Sequence, residues 1–353
     1  MLSRVADALY WIGRYIERAE NAARFIEVNL NMSLDAPIAF SNQWEPLIAI
    51  TASRQPFADR YKEATRDNVI EFLASDRTNA SSIVSCITSA RENARAIRDV
   101  LSSEVWEQIN RFYLLVNNRG ADWRALNDSF SFFSEVKLLS HLISGVADNT
   151  MSNGQAWHFF HLGRFMERAD NTTRLLDVKY FLLLPSVDEV GGPVDEMQWA
   201  AVLRSASAFE MYRKRFGPIA PTNVIDFLLL ETEFPRAVLF CLSRAEQALH
   251  AISGTPSGMF QNPAEQRLGR LRAELAYLQV YDIIAKGLHE FLDNLQGRMN
   301  DVGSAIATSF FGVEPPRAED ENGLRGKASS DVLSGDQSQR WIGSHSGYTS
   351  NLR

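Results

Sequence analysis

The stretch "GRYIERAENAARFIEV" starting at Gly13 is written a second time as "GRFMERADNTTRLLDV" starting at Gly163, an offset of 150 residues. Glycine, arginine, glutamate, arginine, alanine, asparagine, arginine and valine recur in place, while the residues between them have drifted. On a wheel of about 100° per residue, Ile12, Tyr15, Ile16, Ala19, Ala22, Ala23 and Ile26 fall on one side. The repeated segment therefore reads as a packed amphipathic helix that occurs twice.

The repeat extends further along the chain. "NVIEFL" at Asn68 returns as "NVIDFL" at Asn223, an offset of 155, and Ser89, Glu92 and Asn93 align with Ser243, Glu246 and Gln247 at 154. Three matches in one order imply a duplicated unit. The 353 residues, with 45% hydrophobic residues, are enough for two such units on the usual ~100–200 residues per domain. We expect unit 1 at 1–149, unit 2 at 150–312 and a separate tail at 313–353. Packing around an approximate two-fold axis is the simplest arrangement, and a tandem one also satisfies the pattern.

Helical periodicity also reads over 81–102, 104–117, 126–147, 157–183, 236–252 and 265–306, and no stretch sustains the two-residue alternation of a strand. Connectors rich in Pro, Gly, Asn or Asp separate these segments: "DAPIAFSN", "NNRGADW", "LPSVDEVGGPVDE" and "GTPSGMFQNP". The expected fold is an all-α, duplicated multi-helix bundle. The tail, dense in Gly, Ser, Asp and Pro, lacks the apolar content to offset ordering and reads as disordered, with Trp341 and Tyr348 as isolated aromatics.

Charge and motif content narrow the function. A net charge of −7 with no basic run argues against nucleic acid as a general partner. Arg4 and Asp7 interrupt any apolar leader core, and no run nears the ~20 apolar residues of a membrane span, so a soluble, cytoplasmic protein is expected. Cys86 and Cys241 have no CxxC partner and read as two buried small residues. Neither GxxxxGK[ST] nor GxGxxG occurs, and no cofactor is expected. His158 and His161 form HxxH, yet Ala8 and Trp11 stand at those places in the first copy, and no histidine lies three residues after a glutamate, so no metal is expected.

The polar rib of the repeated helix remains. Arg14, Glu17, Arg18, Asn21 and Arg24 fall at i, i+3, i+4, i+7 and i+10, and Arg164, Glu167, Arg168, Asn171 and Arg174 reproduce them, although Ala22 and Ala23 became Thr172 and Thr173. A solvated face with intrahelical pairs worth about 0–1 kcal/mol each would not require arginine and asparagine to stay fixed. Two confined settings would. In one, arginine forks pair with glutamates inside the bundle, where losing a partner costs about 3–5 kcal/mol. In the other, the rib lines a site for phosphate or carboxylate, because three arginines outnumber one glutamate unless Glu92 or Glu246 neutralises the excess.

"MLSRVADALYWIGRYIERAENAARFIEV", "SARENARAIRDVLSSEVWEQIN" and "GRFMERADNTTRLLDV" together resemble the alpha-E family of bacterial all-helical domains, over roughly residues 1 to 310. Carried over by motif, the resemblance marks Arg14, Glu17, Arg18, Asn21, Arg91, Glu92, Arg95, Trp106, Glu167 and Arg168. The second copy has no basic counterparts to Arg91 and Arg95. The family's association with circularly permuted ATP-grasp proteins and transglutaminase-like proteins implies an accessory role in an ATP-dependent peptide- or amide-forming system. Its Arg/Glu surface would hold an anionic small molecule or peptide, or dock the ligase. The alternatives are an enzyme using Glu17, Glu92 and Glu167 as acid and base, and a structural interaction module with internal ion-pair networks.

Overall fold

The computed structural model describes residues 1–35, 44–119, 129–182 and 192–312. Within them all regular structure is helical: α1 (Ser3–Asp35), α2 (Glu45–Ile50), α3 (Arg54–Ala58), α4 (Arg66–Ala74), α5 (Ile83–Ala96), α6 (Ser103–Arg119), α7 (Ser129–Thr150), α8 (Gln155–Leu182), α9 (Pro193–Ser205), α10 (Phe209–Phe216), α11 (Pro221–Leu230), α12 (Val238–Ser253), α13 (Pro263–Ala276), α14 (Val280–Lys286) and α15 (Leu288–Ile306), closed by a π-helical turn, Ala307–Phe311. The expected tail, 313–353, lies outside the described residues.

The two copies of the repeated motif lie on α1 and α8, which cross at the centre. Helix α1 also packs against α5, α7 and α9, and α8 against α12 and α15. Two glycines fix the crossing. A Cβ on Gly13 would stand 2.1 Å from the Phe160 carbonyl oxygen, and one on Gly163 would stand 2.0 Å from that of Tyr10. Backbone meets backbone in both directions, so nothing larger than hydrogen fits. Around the crossing, the apolar stripe Ile12, Tyr15, Ile16, Ala19, Ala22, Ala23 and Ile26 is buried, as its spacing required.

Local signals set the ends of several elements. Thr65, Ser82 and Asn262 each accept the backbone N–H three residues on, capping α4, α5 and α13. "GTPSGMFQNP" is a true connector, in which Gly254 closes α12 in the left-handed conformation and Asn262 opens α13. The expected helix 265–306 is three helices, because the chain breaks after Ala276 and again at Gly287, whose φ of +90° no helix continues through. "LPSVDEVGGPVDE" is not all connector: Pro193 supplies the preset φ of a first helical turn and α9 begins there.

Features of the first half return in the second at a constant offset. Cys86 Sγ donates to the Ala80 carbonyl and Cys241 Sγ to that of Pro235. The positive-φ residues Ala52 and Ser207 correspond, as do the aromatic clusters Phe57, Tyr61, Phe72 and Tyr212, Phe216, Phe227. All are 155 residues apart. The buried positions of α5 and α12 follow the same register, Ile83 with Val238 through Ala94 with Leu249. The 154-residue alignment of Ser89, Glu92 and Asn93 is therefore one residue out of phase, and Glu246 falls opposite Arg91. One apolar core runs through both halves.

The crossing predicts the response to added methyl groups. Gly13→Ala and Gly163→Ala should each cost about 3 kcal/mol or more, the upper end of overpacking, because carbonyl backbone on a second helix cannot turn aside. Gly297→Ala, inside α15 with open space at its Cβ, should instead stabilise by about 0.5–1 kcal/mol. Chemical denaturation of the three variants checks both signs.

Candidate functional site

Helices that cross at glycine bring their polar ribs against one another, and the repeated glutamates are exchanged between them. Glu167 of α8 accepts from Arg14 Nε at 2.6 Å and from Arg18 Nε and Nη2 at 2.7 and 3.0 Å, all from α1. Glu17 of α1 accepts from Arg168 Nε and Nη2 of α8 at 2.8 and 2.7 Å. Both Arg18 and Arg168 grip a carboxylate edge-on with two parallel bonds, the geometry that arginine supplies and lysine does not. Glu17 and Glu167 are 2% and 3% exposed, so these are interior ion pairs.

The two halves differ in the second clamp. Arg14 completes the cage of Glu167 and lies against the Tyr10 and Trp11 rings, its Nη1 donating to the Tyr10 hydroxyl at 3.3 Å. Its counterpart Arg164 stays 3.8 Å from Glu17, beyond hydrogen-bond range. Arg236, in the turn before α12, has taken that place. Its Nη1 donates to Glu17 Oε1 and to Asn21 Oδ1, both at 3.0 Å, and its Nη2 reaches Glu20 at 2.5 Å. Ser81 stands at the matching place in the first half, 155 residues earlier, where nothing competes with Arg14.

The remaining rib residues are structural in their contacts. Arg24 bonds Glu20 and Ser207, and Arg174 holds Asp170 at 2.9 Å. Asn171 Nδ2 donates to the Glu167 carbonyl at 2.9 Å. The structure does not bring the α5 motif into this network. Glu92, with a side chain 42% exposed, pairs with Arg91 and Arg95 at 2.8 and 2.6 Å. Arg91 donates to Asn110 and lies over the rings of Tyr113 and Trp106. Arg14 and Arg164 serve different carboxylates and do not converge.

Sequence reasoning nominated neither Arg236 nor Glu20. Arg236 belongs to no repeated motif, and the sole signal is that arginine replaces serine between halves. Glu20 also accepts from His141 at 2.9 Å.

Electrostatics follow from the geometry. Burial alone would raise the Glu167 carboxyl, but the charges and hydrogen bonds of Arg18 and Arg14 outweigh it and hold the group at about 2. Burial would likewise raise Glu17, but the charges of Arg168 and Arg236 outweigh it, so this carboxyl also lies low. Carboxylates held this way stay ionised and cannot deliver a proton near neutrality. Burial pushes the Cys86 and Cys241 thiols up to about 12, so both are inert. No group of three His, Cys, Asp or Glu side chains suited to a metal ion occurs among the described residues. No described helix is long and apolar enough to cross a membrane. A cavity of about 710 Å³ between α13, α14 and α15 contains none of the residues nominated from the sequence.

Removing the carboxylate leaves the buried Arg14 and the partly buried Arg18 unmatched, so Glu167→Gln should cost about 3–5 kcal/mol. The pH dependence has a defined sign. Because the folded Glu167 lies near 2 against an ordinary 4.5, its contribution is complete above about 4.5 and is lost as pH falls toward 2. Urea unfolding from pH 6 to 2 should therefore show acid destabilisation that is reduced in the variant.

Comparison with known proteins supplies the family. Residues 1–311 match the model of Alpha-E, a predicted alpha-helical domain with a conserved ER motif. The chain carries that dipeptide at Glu17–Arg18 and Glu167–Arg168, the two centres of the reciprocal clamp. It is 24% identical over 331 residues to an uncharacterised protein of Mycobacterium bovis and to one of Mycobacterium tuberculosis strain CDC 1551, covering 87% of this chain and 36% of each relative. A protein of M. tuberculosis strain H37Rv, also uncharacterised, is 23% identical over the same span and shares. The chain thus spans about a third of the length of the curated relatives it matches. No solved structure is significantly similar to it. With the family model covering nearly all the described residues and the ER pairs at the core of the crossing, the chain belongs to the Alpha-E family.

Proposed function

We propose that this protein is an accessory subunit of an ATP-dependent peptide- or amide-bond-forming system of the ATP-grasp type, acting in the bacterial cytoplasm without acid–base chemistry of its own. The observation that carries the reading is the fate of the ER glutamates. Glu17 and Glu167 are each clamped by two arginines and held ionised, which suits a rigid scaffold and not a proton donor. Its curated relatives are about three times as long as the matched segment, so there the domain works joined to further protein. The expectation of a circularly permuted ATP-grasp partner, with a transglutaminase-like protein beside it, rests on the family resemblance.

The structural-module reading shares this observation and describes how the scaffold is held. An enzyme would need a free carboxylate, and Glu92 is the one nominated glutamate within reach of solvent.

The test is reconstitution with a circularly permuted ATP-grasp protein from the same organism, following ADP release and amide product. Product should require both proteins, the isolated chain should be inert, and Glu92→Gln should fold and support product within about twofold. Turnover by the isolated chain, or loss of product in a folded Glu92→Gln variant, would overturn the accessory reading in favour of the enzyme.

A further inference from the structure

The displacement of Arg164 by Arg236 leaves a largely buried guanidinium 3.8 Å from Glu17 and without a hydrogen bond to it. Arg164 Nε and Nη1 are both buried, and neither finds an acceptor among the described residues. Burial, then repulsion from Arg168, bring this arginine down to about 10, the opposite of what a clamped arginine such as Arg14 or Arg168 shows. The surplus is not local to one residue. Around Glu17 and Glu20 four guanidinium groups, Arg24, Arg164, Arg168 and Arg236, face two carboxylates. Asn21 Nδ2 and Arg24 Nε in the same half are also buried donors without an acceptor. Buried charge is normally matched, because an unpaired ion costs several kcal/mol to keep from water.

The neighbours of Arg164 on α8 say what would match it. His161 and His158, on the preceding turns, each have a ring nitrogen, Nε2 and Nδ1, that is buried and unbonded. Burial, then Arg164, depresses His161 to about 3, so it is a neutral ring able to donate one N–H. Its Nε2 lies 2.8 Å from Asp148 Oδ1 without hydrogen-bond alignment. Trp157 lies tilted against the same imidazole, ring centroids 3.8 Å apart, and gives its indole N–H to Asp148 at 3.1 Å, so a partly exposed tryptophan and an exposed carboxylate form the solvent rim. A metal cation would be repelled by Arg164 and Arg168. An anion with oxygen acceptors is the chemistry that suits the unbonded nitrogens of Arg164, His161 and His158.

We propose that Arg164, His161 and His158 form an oxyanion site, entered past Trp157 and Asp148, that takes a phosphate or carboxylate group. This deepens the accessory reading by giving the anionic substrate a location, and it rests on that reading only for the identity of the ligand. Binding is measured on the isolated full chain, so its failure leaves the reconstitution test untouched.

Inorganic phosphate and glutarate, titrated separately at constant ionic strength in a calorimeter, are the two probes, with the melting temperature followed alongside. Saturable binding of either supports the site, and the probe that binds identifies which oxyanion it serves. Arg164→Met should weaken binding at least about tenfold, or ~1.4 kcal/mol, while melting without ligand at or above the wild-type temperature, since it removes a largely buried charge that makes no hydrogen bond. His161→Gln, which keeps a donor but not the ring, should weaken it several-fold and serves if the first variant does not fold. No saturable heat with either probe, or affinity within twofold in Arg164→Met, would overturn the site.

Discussion

The reciprocal grip of two glutamates across the α1/α8 crossing is the interaction on which the other features depend. It exists because Gly13 and Gly163 let two backbones touch, which places Glu17 among arginines of α8 and Glu167 among arginines of α1. At ordinary helix separations of about 8–10 Å the bidentate contacts would give way to longer, wetter ones. Glycine, glutamate and arginine in the repeated motif are thus three parts of one device. The remaining helices enclose it: α5 and α7 on one side, α12 and α15 on the other.

The device is symmetric in its glycines and in its bidentate arginines, Arg18 and Arg168, and asymmetric in its third cation. Arg236 enters where the first half has Ser81, bridges Glu17 to Glu20 and Asn21, and frees Arg164. A scaffold needs only the symmetric part. The arginine left without a hydrogen bond is what distinguishes one end of the crossing chemically from the other.

Much of this was legible in the sequence, for identifiable reasons. Periodicity located the long helices because each buries an apolar stripe, and constancy of Arg14, Glu17, Arg18 and Asn21 through the repeat pointed to confinement, which the burial of Arg14, Glu17 and Asn21 and the bidentate pairing of Arg18 explain. Short helices such as α3 and α10 were not read, since five or eight residues carry too little periodicity and are held by tertiary packing. Glu92 was grouped with Glu17 by motif, whereas its partners lie on its own helix. Arg236 escaped because a residue outside any repeat gives no pattern, and its partners lie more than 200 positions away.

The most direct test of the central claim is a double-mutant cycle on the bidentate pair, using Glu17→Gln, Arg168→Met and the two together, with unfolding free energies measured in urea at neutral pH. A buried, mutually dependent pair predicts a coupling of about 3 kcal/mol, the double variant being far less damaged than the sum of the singles. Additive losses, with coupling near zero, would mean that the glutamates and arginines of the crossing do not hold one another, and the account built on their grip would fail.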